Sequence, residues 1–197
     1  VTAILDAALG TGSIFLGDDG LGLEGVIIAG TSTTLRSAND IAFQRGGMTT
    51  GVLGAENTSI RFGTLLSMTA GTDGTGSITD SNLETEFDVT GRDVTAATGT
   101  GAGITFDAQI DTLNSAVATT GAIDISDDGG NLSVGVVTTD AASAVTLSAT
   151  GAITDLNGAA TNNVTGASLV ATTGAGVNLN TVITAGGTLT ATVSGDG

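Results

Sequence analysis

A short unit recurs along the chain: a Thr-Gly turn, then an apolar residue, a spacer and a second apolar residue. Its clearest copy is Thr120-Gly121-Ala122-Ile123-Asp124-Ile125. Further copies start at Thr150 and Thr173, and looser ones at Thr75 and Thr100. Side chains alternate across a strand, so residues two apart share a face. The unit therefore predicts short strands, each with one apolar face and each entered through a tight turn.

Set in a column, the pairs are Ile41/Phe43, Ile60/Phe62, Thr85/Phe87, Ile104/Phe106, Ile123/Ile125, Ile153 with Asp155 as a lapse, and Val177/Leu179. Their mean spacing is about 23 residues, which lies in the range of stacked repeats. Four of the five phenylalanines fall in this column. Successive coils that lay like residue on like residue produce such a column. The fold expected is all-β, a parallel β-helix (β-solenoid) of roughly eight coils. The alternative is a pilin-like β-sandwich that donates its N-terminal strand to a neighbour.

Composition agrees with a narrow, strand-built interior. Aromatic residues make up 3%, proline is absent and glycine occurs 32 times. Glycine without proline suits corners that need positive φ, and rules out a collagen-like or proline-rich chain. No stretch carries a helical period. Residues 1–36 are the least regular and read as an entry or cap segment, with the solenoid repeats running over 37–197 as one continuous domain. Ser37-Ala38-Asn39-Asp40 has the makings of a helix cap, but Ile41-Ala42-Phe43 after it reads as a strand.

The net charge is −16, from 20 acidic residues against four arginines. Nucleic acid and anionic membrane surfaces need a basic face, so neither is an expected partner. With no histidine or cysteine, Ser/His/Asp and Cys/His catalysis are excluded, as are zinc sites with N or S ligands. Gly20-Leu21-Gly22-Leu23-Glu24-Gly25 matches a dinucleotide fingerprint, but a strand-like run follows it where a helix is required.

What remains is carboxylate chemistry. Asp124, Asp127 and Asp128, beside Gly129-Gly130-Asn131, form an oxygen-rich turn and are candidate Ca²⁺ ligands. The plainer reading is an Asp/Gly turn selected for its backbone. Leu83, Thr85, Phe87 and Val89 alternate with Glu84, Glu86 and Asp88, so the three carboxylates are expected on one strand face. That face reads first as solvated, and second as a further Ca²⁺ site. A polysaccharide-cleaving site needs paired carboxylates and an aromatic floor, and tyrosine and tryptophan are absent. No enzyme and no other cofactor is expected.

Thr34-Leu35-Arg36-Ser37-Ala38-Asn39-Asp40-Ile41-Ala42-Phe43 and Leu147-Ser148-Ala149-Thr150-Gly151-Ala152-Ile153-Thr154-Asp155 resemble repeats of very large bacterial surface proteins. So does Val177-Asn178-Leu179-Asn180-Thr181 with Gly187-Thr188-Leu189-Thr190-Ala191. These are adhesins of the filamentous-haemagglutinin-like and autotransporter-passenger type. The resemblance spans most of 34–197. It implies a right-handed parallel β-helix, secretion to the cell surface, and a stalk, filament or adhesive role. The expected partners are other copies or neighbouring repeats, with a glycan or host surface protein as the alternative. The chain is expected to be a mature chain or an excised piece, because no signal peptide is visible.

Overall fold

A computed structural model describes residues 2–7, 12–16, 27–29, 31–44, 58–81 and 87–195. The described residues form strands, turns and bends, with no helix. Three coils open the stack. They comprise β1 (Thr2–Ala7), β2 (Ile14–Leu16) and β3 (Ile27–Ala29); β4 (Ser32–Ser37), β5 (Ile41–Gln44) and β6 (Thr58–Phe62); then β7 (Leu65–Thr69), β8 (Ile78–Ser81) and β9 (Phe87–Thr90). Three shorter coils follow: β10 (Asp93–Thr98) with β11 (Ile104–Gln109), β12 (Thr112–Ala118) with β13 (Ile123–Asp127), and β14 (Leu132–Thr138) with β15 (Ala144–Ala149). The last two coils are β16 (Ile153–Asp155), β17 (Val164–Gly166) and β18 (Ser168–Thr173), then β19 (Val177–Asn178), β20 (Thr181–Ile183) and β21 (Leu189–Val193).

Each coil gives strands to two sheets. One sheet runs β1-β4-β7-β10-β12-β14-β16-β19, with β17 and β20 beside its end. The other runs β2-β5-β8-β11-β13-β15-β18-β21, with β3, β6 and β9 beside its start. Every pairing between these strands is parallel. One isolated antiparallel bridge, Ala102 to Thr120, lies outside them. Eight successive coils with parallel pairing are a β-solenoid, and the β-sandwich alternative falls, since the sheets of a sandwich are built from antiparallel pairs.

The core is a set of columns. In the second sheet Ile14, Ile41, Ile78, Ile104, Ile123, Val145 and Leu169 lie one above another, and all are buried. Opposite them Leu35, Met68, Ala96, Ala116, Val137 and Val164 do the same. Both columns belong to one apolar cluster. Burying each large aliphatic side chain contributes about 1.5–3 kcal/mol. Alternation within the strands puts these residues inside and their neighbours outside, as the buried and part-buried rhythm of β10 and β15 records.

The stacking partners differ in part from those read along the chain. Ile78, not Ile60, follows Ile41; Ile60 and Phe62 instead take register with Ile27 and Ala29 of β3. Phe87 takes register with Thr58. Ile153 and Val177 belong to the first sheet, with Ile153 over Leu132. Phe43 takes register with Asp80, and Phe106 with Ile125. The reason is coil length. The true column steps by as few as 19 residues, Ile104 to Ile123, and as many as 37, Ile41 to Ile78. A mean spacing cannot find partners across such unequal insertions.

Corners are closed by glycine and by polar side chains. Gly121 has φ of 107°, and a Cβ there would lie 2.6 Å from the Ala102 carbonyl carbon in the coil below. At another corner the Ser77 N–H and Oγ both donate to Asp40 Oδ1 at 2.8 Å, joining two successive coils. Residues 38–40 are thus a corner between β4 and β5, with no helix. The strands β1 to β3 pair in the same two sheets as the later coils.

Candidate functional site

The Asp127-Asp128-Gly129-Gly130 turn ends β13. Strand alternation decides which way its carboxylates point. Ile123, Ile125 and Asp127 face inward and are buried, whereas Asp124 and Asp128 are exposed. The fold therefore separates Asp127 from Asp124. Among the described residues, no group of three or more acidic residues is arranged to hold a metal ion.

Asp127 is 1% exposed and stands in the inward column between Ala108 and Ala149. The Ile110 N–H donates to its Oδ1 at 2.8 Å. Its Oδ2 is buried with no hydrogen-bond partner. Burial disfavours the ionised form and pushes the carboxyl up to about 6. The Ile110 and Gly129 amides oppose that shift, and the nearby charges of Asp128 and Asp111 add to it. Outside this corner lies a groove of about 300 Å³ walled by Thr90, Gln109, Ile110, Asp111, Asp128 and Gly129. Arg92 approaches Asp111 to 3.9 Å at its exposed rim. Asp127 is not among the walls, so its perturbed carboxyl is not presented to a ligand in the groove.

Glu84 and Glu86 lie outside the described residues. Asp88 is fully buried, which departs from the solvated face expected for it. The ladder explains why. The strand β11 pairs with β8 at Ile104 but with β9 only from Ala108 onward. In between, the Asp107 N–H donates to Asp88 Oδ2 at 3.0 Å. A buried N–H left unpaired costs about 1–3 kcal/mol, and Asp88 supplies the acceptor.

A second polar corner was invisible as a site in the sequence, where Asp155 reads only as a lapse in the repeat. Asp155 Oδ1 accepts the N–H groups of Asn157 at 2.7 Å and Gly158 at 2.9 Å, and the Asn163 Nδ2 at 2.9 Å. Its Oδ2 accepts the Asn180 Nδ2 at 3.2 Å. These donors hold the carboxyl below its ordinary value, the Asn163 side chain most of all. Asn163 is fully buried; its Nδ2 also donates to Val134 O at 2.7 Å, and its Oδ1 accepts the Asn180 N–H at 2.8 Å. The exposed loop 156–162 is clasped by this network between β16 and β17. The signal available in the sequence was Asn163 and Asn180, two asparagines placed near one coil length apart.

No protein-family model matches the chain, and no curated protein and no solved structure matches it. The described residues contain no helix, and so none long and apolar enough to cross a membrane.

Proposed function

We propose that this chain is a structural β-solenoid segment of an extracellular filament or surface stalk, which associates with further coils of its own kind. One observation carries the reading: the apolar column from Ile14 to Leu189 passes through all eight described coils, and the outermost ladders keep open edges. Among the described residues β21 pairs only with β18, and β1 only with β4. The inward positions of β21 are exposed, Leu189 at 60% and Val193 at 47%, where the coils below bury theirs. Unpaired strand edges over an uncovered core favour another layer of strands. The acidic surface keeps such a rod soluble.

Negative-stain micrographs and sedimentation of the chain at rising concentration test the proposal. Rods longer than one chain, growing with concentration, are expected. Dispersed monomers at all concentrations overturn self-association.

The clasped loop 156–162 favours a second reading, an adhesin module for a glycan or protein ligand. Rigid scaffolds commonly present binding residues on such loops. Binding of the monomer to a glycan or matrix array, lost when 156–162 is replaced by glycine and serine, is the expected result of that reading.

A further inference from the structure

We infer that Asn157 is a deamidation site restrained by the Asp155 clasp. Of the ten asparagines, only Asn157 is followed by glycine. Glycine at that place offers the least hindrance to its own backbone nitrogen. Asn157 and Gly158 are both exposed, and a Cβ placed on Gly158 meets nothing within 4 Å. Solvent reaches both residues, and the space beside Gly158 is open.

The chemistry needs only water. Gly158 N loses its proton to solvent base and attacks Cγ of Asn157. The N–Cγ bond forms, the Cγ–Nδ2 bond breaks, and Nδ2 leaves as ammonia after taking up a proton. Water then opens the cyclic imide to aspartate or isoaspartate at position 157. One water enters, one ammonia leaves, and nothing is oxidised or reduced.

The restraint lies in the hydrogen bonds. The proton that must leave Gly158 N is donated to Asp155 Oδ1 at 2.9 Å. A carboxylate beside it repels hydroxide and stabilises the N–H. The Asn157 N–H is held by the same oxygen at 2.7 Å, so the backbone on both sides of the reacting carbon is fixed. Asn163 and Asn180 in turn fix Asp155. Opening of the last coils frees the amide and the reaction proceeds. The product is a carboxylate two residues from Asp155, in a span, 156–195, that otherwise carries no charge. Repulsion between the two then keeps the clasp open, so the corner retains a covalent record of having loosened.

Peptide mapping by mass spectrometry after timed incubation at mildly alkaline pH tests this. The folded chain is compared with the chain in urea and with Asp155→Ala. Deamidation at Asn157 is expected to be at least about tenfold slower in the folded chain, because only locally opened molecules react. Asp155→Ala is expected to recover most of the difference. Should circular dichroism show that Asp155→Ala does not fold, Asn180→Ala, which removes one strut and leaves Asp155, is expected to give an intermediate rate. Equal rates at Asn157 in the folded and urea-treated chains overturn the inference. So does faster reaction at another asparagine, an unchanged rate in the folded variants, or no reaction even in urea.

Discussion

Asp127 lies directly over Ala108, side chain inward, in a column that holds Val89 below and Ala149 above. A carboxyl group has taken the place of a methyl in the core. It keeps one oxygen on the Ile110 N–H and leaves the other without a partner.

That placement sets a pH dependence. The carboxyl is raised to about 6 in the fold from an ordinary 3.8. The folded chain therefore binds the proton more tightly than the unfolded chain. Its stabilising contribution is full below about pH 4, fades through the interval up to about 6, and is gone at neutrality. Asp155 has the opposite sign: its contribution is present above the ordinary carboxylate range and is lost as pH falls through its lowered value. The urea midpoint is expected to rise as pH falls from 7 to 5. Asp127→Asn keeps an acceptor for Ile110 and is expected to remove that rise, with a gain at pH 7 of up to about 3 kcal/mol. An unchanged slope in Asp127→Asn contradicts the assignment.

The columns predict a contrast between layers. Ile123 is fully buried between Ile104 and Val145. Ile123→Ala is expected to cost about 2–5 kcal/mol. Leu189→Ala, at the exposed end of the same column, is expected to change stability by less than about 1 kcal/mol. Urea unfolding followed by circular dichroism at 218 nm, roughly the strand band, checks both. Equal costs at the two positions argue against the stack.

Gly121 predicts a corner effect. With φ of 107° and Ala102 backbone 2.6 Å from any added Cβ, Gly121→Ala meets strain and clash together. A loss of at least about 1–3 kcal/mol is expected. Gly158 also has positive φ, 74°, but open space around it. Gly158→Ala is expected to cost only about 1 kcal/mol. Thermal melts of the two variants distinguish backbone strain alone from strain with collision.

The asparagine pair is open to a double-mutant cycle. Removing Asn163 strips partners from Val134 O and the Asn180 N–H, both within the stack. Asn163→Ala is expected to cost about 2–3 kcal/mol and Asn180→Ala less, with a coupling of at least about 0.5 kcal/mol. Additive losses show that the two side chains act separately.

Much of this architecture is readable from residue order alone. The Thr-Gly turn, the apolar-x-apolar pairs and the lack of any helical period specify parallel strands around a narrow core, because period and turn chemistry are local properties. Those signals suffice to set Ile41, Ile104 and Ile123 in one column. They do not fix the partner of Ile41. Ile60 and Ile78 both satisfy the local pattern, and only the long insertions between strands determine which of them comes round to the same side. Asp127 shows the same division. Its neighbours Asp128, Gly129 and Gly130 announce a turn, and nothing local distinguishes it from Asp128. Strand alternation and the coil beneath put Asp127 in the core and leave Asp128 in water. The Asp155 clasp needed Asn163 and Asn180 to arrive from later strands. Local pattern chooses the kind of layer; the tertiary stack alone chooses what lies on what, because its register is a sum over contacts between residues some twenty or more positions apart.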